Sequence, residues 1–147
     1  MEHGSLNKTA FSATWHCLTG CAIGEILGMV IATVLGWNPA QSITLAVVLA
    51  FIFGYSLTIL PLVRAGLGIR RVISLAFASD TASITIMEIT DNAFILAVPG
   101  AIHAELDSLL FWASLLISLV VAFCFAFPLN RYLIARGRGH AVIHDRH

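Results

Sequence analysis

The stretch ATWHCLTGCAIGEILGMVIATVLG, residues 13–36, is long enough and apolar enough to cross a lipid bilayer as one helix. About 20 helical residues are needed to span roughly 30 Å of hydrocarbon. Glycine recurs in it at every fourth position, at Gly20, Gly24 and Gly28. Small residues at this spacing let two membrane helices approach closely. The stretch therefore predicts a membrane helix that packs tightly against a neighbouring helix.

Three further stretches of this kind follow, at about residues 40–63, 72–98 and 108–134. The chain of 147 residues is 59% hydrophobic and only 11% charged, which is too apolar for a soluble domain. Short connections between the spans require them to alternate in direction. We therefore expect an all-α fold, a polytopic membrane four-helix bundle over residues 13–134. An N-terminal arm at 1–12 precedes it, and a basic cytoplasmic tail at 135–147 follows it.

The basic residues predict the orientation. With four spans, both termini and the middle loop lie on one side, and all eight Lys and Arg residues fall there. They are Lys8, Arg64, Arg70, Arg71, Arg131, Arg136, Arg138 and Arg146. By the positive-inside rule, we expect both termini in the cytoplasm. The expected location is a prokaryotic cytoplasmic (inner) membrane, with the lipid bilayer as the main partner.

Half of the eight acidic residues lie within the predicted spans, where a charged side chain is costly. These four are Glu25, Asp80, Glu88 and Asp91. No Lys or Arg lies at a matching depth in the predicted spans. The carboxyl groups must therefore be protonated, hydrogen-bonded, hydrated or bound to a cation.

The first and third predicted helices each carry a polar face. On the first, Cys17, Cys21 and Glu25 are spaced four residues apart, and His16 lies at the edge of the same face. On the third, the polar face includes all three of its acidic residues together with Met87.

Counting the helical rise from the cytoplasmic ends places Asp80 near Cys21, and Met87 and Glu88 near residues 25–29. We therefore expect the two polar faces to meet at matching depth. The second and fourth helices are expected to act mainly as hydrophobic walls.

Thiolate, imidazole, thioether and carboxylate groups together form a ligand set for transition metals, and sulfur favours Cu(I) or Zn(II). The predicted metal ligands are His16, Cys17, Cys21, Glu25, Met87, Glu88 and Asp91. The first hypothesis is a copper- or zinc-binding membrane protein that acts in metal transport or homeostasis. Because buried cysteines are often inert packing residues, that interpretation of Cys17 and Cys21 stays open.

Two other classes of function fit the same residues. In one, the protein is a proton- or cation-coupled small transporter or channel, with a relay formed by Asp80, Glu25, Glu88 and Asp91. In the other, it is a non-catalytic accessory subunit of a larger membrane complex. Because four helices leave little room for a complete transport machine, a parallel homo-oligomer is expected.

Other chemistries are not indicated. A bis-histidine haem needs two histidines within the membrane, and only His16 qualifies. The sequence has no nucleotide-binding loop, hydrolase motif or zinc-protease motif. We expect no enzymatic activity, no haem, no nucleotide and no nucleic-acid partner. The tail histidines His140, His144 and His147 offer metal capture, but a flexible basic tail facing anionic lipid explains them better.

Three stretches of the chain resemble an uncharacterised family of small four-helix prokaryotic membrane proteins, a domain of unknown function. They are HCLTGCAIGE at His16–Glu25, MEITDN at Met87–Asn92 and NRYLIARGRGHA at Asn130–Ala141. They carry the patterns HCxxGCxxGE, MExxDN and NRxLIxRGxGHA. The resemblance covers residues 15–140 and implies a fold but no activity. It also implies that Arg131, Arg136 and His140 belong to the family's signature.

Overall fold

The structure is a computed structural model that describes residues 3–136. Its four long helices are α1 (His3–Val34), α2 (Pro39–Arg64), α3 (Ile69–Ala97) and α4 (Leu109–Ala135). A short 3₁₀ helix, Ala101–His103, lies between α3 and α4, and no strand occurs in residues 3–136. The predicted all-α fold class is confirmed. Most of the predicted basic tail, including Arg138, His140, His144, Arg146 and His147, lies outside the described residues.

Each long helix coincides with one predicted stretch, and the ends differ by a few residues except at the start of α1. That helix begins at His3 and includes most of the residues that we expected to form a separate arm. Leu6 and Ala10 are buried there in a small apolar cluster with Ile134 of α4. The helix extends this far because its first turns have an apolar partner on α4.

Turn residues determine where the helices begin and end. Gly36 ends α1 with a φ of 68°, a conformation that glycine adopts without a steric penalty. Asn38 caps α2, because its side chain accepts a hydrogen bond from the Gln41 backbone N–H at 2.9 Å. The Gln41 side chain in turn accepts from the Asn38 backbone N–H at 3.2 Å, which completes a capping box. The Ser108 side chain caps α4 and accepts a hydrogen bond from the Phe111 backbone N–H at 3.1 Å.

The four helices pack side by side, with α1 and α3 each in contact with both α2 and α4. The main buried cluster draws on all four helices, and its members are at most 1% exposed: Cys17, Cys21, Ala50, Ile84, Met87, Ala122 and Ala126. Small side chains dominate this list. The helices therefore approach closely, and the few large or polar groups between them are held tightly.

The three regularly spaced glycines of α1 lie at its contact with α2. A Cβ atom at Gly20 would lie 2.7 Å from the Gly54 Cα, and one at Gly28 would lie 2.6 Å from the Ala46 Cα. A Cβ atom at Gly24 would collide with the backbone of Ala50. The backbones of α1 and α2 are therefore in direct contact, as in other small-residue crossings of membrane helices.

Three of the described helices are long and apolar enough to cross a membrane, namely residues 4–34 of α1, residues 39–61 of α2 and all of α4. The third helix differs because three acidic residues lower its hydropathy, and all three are buried. Beyond the exposed Arg70 and Arg71 at its start, the large exposed side chains of α3 are apolar and include Ile73, Phe77, Ile89 and Leu96. The acidic residues of α3 therefore face its neighbouring helices rather than the surroundings.

Candidate functional site

The structure brings three acidic side chains together between α1 and α3. Glu25 of α1 is 3% exposed, and Glu88 and Asp91 of α3 are 5% and 3% exposed. The Glu25 carboxyl group lies within hydrogen-bonding reach of both Glu88 and Asp91. We refer to these three residues as the carboxylate cluster. Ionised carboxylates only accept hydrogen bonds and repel one another, so a proton or another cation is needed to hold three of them this close.

Neighbouring side chains satisfy part of the cluster. The Ser118 hydroxyl of α4 donates a hydrogen bond to Asp91. The Asn92 amide donates to the Glu88 backbone carbonyl at 2.8 Å, and it makes a longer contact of 3.5 Å with Glu88 Oε2. These contacts position the side chains on α3 and connect them to α4.

Two carboxyl oxygens of the cluster lack a partner. Glu25 Oε2 and Glu88 Oε1 are buried and have no hydrogen-bond partner among the described residues. An unsatisfied buried polar atom is costly, and native proteins retain few of them. While the three carboxyl groups are ionised, they only accept hydrogen bonds, so these two oxygens are open to a proton or another cation.

Sulfur lies directly beside the cluster. The Cys21 Sγ of α1 and the Met87 Sδ of α3 are 4.0 Å apart, and both side chains are buried. The Cys21 thiol is also within side-chain hydrogen-bonding reach of Glu88. A thiol, a thioether and a carboxyl group thus meet at one point between the two helices.

A second group of buried polar side chains lies one helical turn away from Cys21, and Asp80 is its acidic member. Cys17 is 1% exposed and lies next to Ser83 and Asp80 of α3. The Asn130 amide of α4 donates to the hydroxyls of both Thr14 and Ser83 at 3.0 Å. We refer to Thr14, Ser83 and Asn130 as the neutral network. All three of its side chains are buried and hydrogen-bonded.

The predicted site residues are not all in one place. Cys21, Glu25, Met87, Glu88 and Asp91 are contiguous, while Cys17 and Asp80 lie at the level of the neutral network. His16 is exposed, and its Nδ1 lies 3.1 Å from the Ser12 backbone oxygen of its own helix. Within residues 3–136, no group of three or more His, Cys, Asp or Glu side chains is arranged to hold a metal ion.

The expected depth alignment is displaced by about one turn. We expected Asp80 near Cys21, and the structure places it near Cys17 instead. Met87 and Glu88 correspondingly lie at Cys21 and Glu25, nearer the start of α1 than expected. The displacement arises because helices of unequal length, which begin at different heights, are not aligned by counting from their ends.

Sequence reasoning missed the contribution of α4, which is more than a hydrophobic wall. Its buried positions include a run at every fourth residue: Ser114, Ser118, Ala122, Ala126 and Asn130. Small and polar residues at this spacing indicate a helix face that approaches other helices closely. The signal was therefore present in the sequence, and it places Ser118 at the carboxylate cluster and Asn130 in the neutral network.

The fold and the site define a helical protein with membrane-compatible helices and an acidic, sulfur-containing site buried between them. The family model described as "Domain of unknown function (DUF4396)" matches residues 6–139, and the chain belongs to this family. The predicted membership of a family of unknown function is thereby confirmed. Neither a curated protein nor a solved structure matches the chain.

Proposed function

We propose that the protein binds a cation within the membrane at the carboxylate cluster and moves it across, in a transport role without catalysis. The observation that carries this proposal is the pair of buried carboxyl oxygens, Glu25 Oε2 and Glu88 Oε1, that have no partner in the described structure. Ionisable groups inside a membrane are costly and usually serve a function. A cation that binds here would satisfy both oxygens and offset the charge of the cluster.

No basic side chain in the described structure is placed to neutralise the carboxylate cluster. Lys8 on α1 and Arg71 on α3 are each 17 residues from the nearest member of the cluster on the same helix. At 1.5 Å per residue, this separation is about 25 Å. Among residues 3–136, no side chain therefore supplies the counter-charge for the cluster, and we propose that protons or a metal ion do so.

The proposal includes a topology in which all four helices span the membrane as a bundle, with both termini in the cytoplasm. The apolar outer surface of α3 supports its inclusion, because only its buried face is acidic. The distribution of Lys and Arg supports the orientation. The carboxylate cluster then lies between the middle of the membrane and its outer surface. A parallel homo-oligomer in a prokaryotic inner membrane completes this proposal.

Ion flux in liposomes tests the function. With a pH-sensitive dye inside and an imposed membrane potential, the wild type should move protons, alone or in exchange for added Cu(I) or Zn(II). Glu25→Gln and Glu88→Gln should lose this flux, because each removes a carboxyl group of nearly unchanged size. Glu25→Asp and Glu88→Asp, which keep the acid, should retain part of it. A wild type no faster than empty liposomes, or Gln variants that match it, would overturn the proposal.

We further propose that a transition-metal ion, copper or zinc, is the cargo, which the contact between Cys21 and Met87 favours. Metal–sulfur bonds are about 2.3 Å long, and two of them span the observed 4.0 Å when they meet at about 120°. Thiolate and thioether ligands select soft ions such as Cu(I). Binding to a thiol and to protonated carboxyl groups releases protons, which would couple the metal to proton movement.

Metal analysis of the purified protein separates this cargo from protons alone. The wild type should bind Cu(I) or Zn(II) stoichiometrically and melt at a higher temperature with the ion present. Cys21→Ser and Met87→Leu should weaken binding, whereas Cys124→Ser, a cysteine exposed on α4, should not. Proton flux that persists unchanged in the Cys21 and Met87 variants, without bound metal, would leave protons as the cargo. A protein that is inert alone and purifies with another membrane protein would instead be an accessory subunit.

A further inference from the structure

A cavity lies at the end of the helices where α1 joins α2 and where α3 joins α4. Its volume is about 610 Å³. Its walls come from all four helices and from both connections, including Trp37 of the first connection and His103 of the 3₁₀ helix. We refer to it as the loop-end cavity. It is large enough to hold many water molecules, each of which occupies about 30 Å³ in the liquid.

The floor of the loop-end cavity adjoins the carboxylate cluster. Met29, which lines the cavity, is one helical turn beyond Glu25 on α1. Asn92, another lining residue, follows Asp91 in sequence and hydrogen-bonds to Glu88. On α1, about one helical turn, roughly 6 Å, therefore separates the cavity lining from the cluster, and on α3 the lining includes the residue that directly follows the cluster.

The cavity lining also lies close to the cluster on α4. Leu115 lines the cavity, and its backbone oxygen accepts a hydrogen bond of 2.8 Å from the Ser118 hydroxyl. That hydroxyl also contacts Asp91 of the cluster. On three helices, the cavity lining thus lies within about one helical turn of the cluster or of a side chain that contacts it.

The opposite side of the cluster is closed. Beyond Cys21 lie Ile84 and Ala126, both fully buried, and then the neutral network together with the buried side chains of Cys17 and Asp80. On the α2 side, the glycines of α1 place the two backbones in contact. Water or an ion that approaches from that end of the described helices meets close packing, whereas the loop-end cavity reaches the last turn before the cluster.

The charge of the cavity lining suits cations. Glu105 and Asp107 are the charged side chains at its rim, and neither Lys nor Arg occurs among the described lining residues. Both carboxylates are exposed. A concave surface that carries one sign of charge raises the local concentration of the opposite ion.

We infer that the loop-end cavity is the water-filled access route by which a hydrated cation reaches and leaves the carboxylate cluster. This inference rests on the proposed function. It adds the side from which the cation enters and a preference of the route for positive charge. The site is open toward the loops that follow α1 and α3, and it is closed by packing toward the start of α1. In the proposed topology, the open side faces away from the cytoplasm.

Cysteine labelling at two adjacent positions tests the route. Met29 lines the cavity, whereas Val30, at the same depth on α1, is exposed outside it. Met29→Cys should react with cationic trimethylammonium-ethyl methanethiosulfonate, and Val30→Cys, facing lipid, should not. All labelled variants carry Cys124→Ser, and Cys124→Ser alone is the blank, because Cys124 is exposed on α4 whereas Cys17 and Cys21 are buried. Thr33→Cys, on the same wall, serves as a second probe if Met29→Cys does not fold.

The rim charges provide a second measurement. After both rates are divided by the rates of the same reagents with free 2-mercaptoethanol, Met29→Cys should favour the cationic reagent over anionic sulfonatoethyl methanethiosulfonate by at least about tenfold. Adding Glu105→Gln and Asp107→Asn should remove most of that preference. A preference that survives loss of both carboxylates would overturn the selectivity.

Flux measurements on the labelled variants distinguish a failure of the access route from a failure of the proposed function. Modification of Met29→Cys should lower cation flux in liposomes, and treatment of Val30→Cys should leave it unchanged. If the wild type conducts but neither Met29→Cys nor Thr33→Cys is labelled, or if labelling leaves flux unaltered, the route is wrong. If labelling follows the expected pattern and the wild type conducts nothing, the proposed function is wrong and the cavity has no such role.

Discussion

The two buried faces of α1 have similar sequence spacing and opposite physical character. One face presents Gly20, Gly24 and Gly28 to α2, where backbone touches backbone and no polar side chain intervenes. The other presents Cys21 and Glu25 to α3, where sulfur and carboxyl groups meet and two oxygens lack partners. Both faces repeat every fourth residue, so the spacing alone does not distinguish a packing contact from a candidate site.

The two faces differ in whether every buried group has a partner. The glycine face leaves no room for another atom, and such close packing contributes to stability and rigidity. The carboxylate face leaves two buried oxygens without a hydrogen-bond partner among the described residues. We therefore expect changes on the glycine face to affect folding, and changes on the carboxylate face to affect function with little loss of stability.

The largest effect is expected at Gly24. Gly24→Val places a branched side chain where even a Cβ atom collides with the Ala50 backbone, so α1 and α2 must separate. Overpacking of this kind should destabilise the protein by about 3 kcal/mol. The measurement is the melting temperature, with the yield of monodisperse protein in detergent. Gly4→Val is the control, because a Cβ atom at Gly4 meets nothing within 4 Å. Equal melting temperatures for the two variants would show that α1 and α2 are not in such close contact.

A smaller effect of opposite sign is expected at Glu25. Glu25→Gln removes one of three acids that lie together and supplies N–H donors to the remaining two. Because Glu25 Oε2 is unsatisfied, this exchange should raise stability by about 1 kcal/mol while flux is lost. Thermal melting of the same samples used for flux gives both results. Glu105→Gln, an exposed loop position, should leave the melting temperature unchanged. A fall comparable to that of Gly24→Val would make the cluster a structural network rather than a site.

The helices and the meeting of the two polar faces could be predicted from sequence. Residue spacing determines which side chains share a face, and the cost of exposing Glu25 or Glu88 to lipid favours their association. Depth could be predicted only to about one turn. The contact between Cys21 and Met87 depends on how each helix is capped and where it starts, and α1 starts ten residues before the predicted span.

The partners of α1 were harder to predict. The glycine spacing indicates that some helix approaches, but it does not say which one. The matching series Ala46, Ala50 and Gly54 on α2 was available in the sequence and identifies the partner once both series are compared. The cavity at the loop end could not be predicted. It depends on how two connections fold over the helix ends, and local sequence does not determine that arrangement.

The smallest expected effect lies in the neutral network, which is buried like the carboxylate cluster but has its hydrogen bonds made. Thr14 and Thr19 of α1 both donate to a backbone oxygen four residues earlier, at 2.7 and 2.8 Å. Only Thr14 also accepts from Asn130. Thr14→Val should therefore cost about 0.6 kcal/mol, typical of a hydrogen bond between membrane helices, and exposed Thr19→Val should cost nothing. Cation flux should survive in both variants, because a satisfied neutral network offers no free ligand.

Combining Thr14→Val with Asn130→Ala should add less than the sum of the two single effects. If Thr14→Val abolishes flux at unchanged stability, the network belongs to the transport path, and the distinction between complete and incomplete contacts fails at this end of α1.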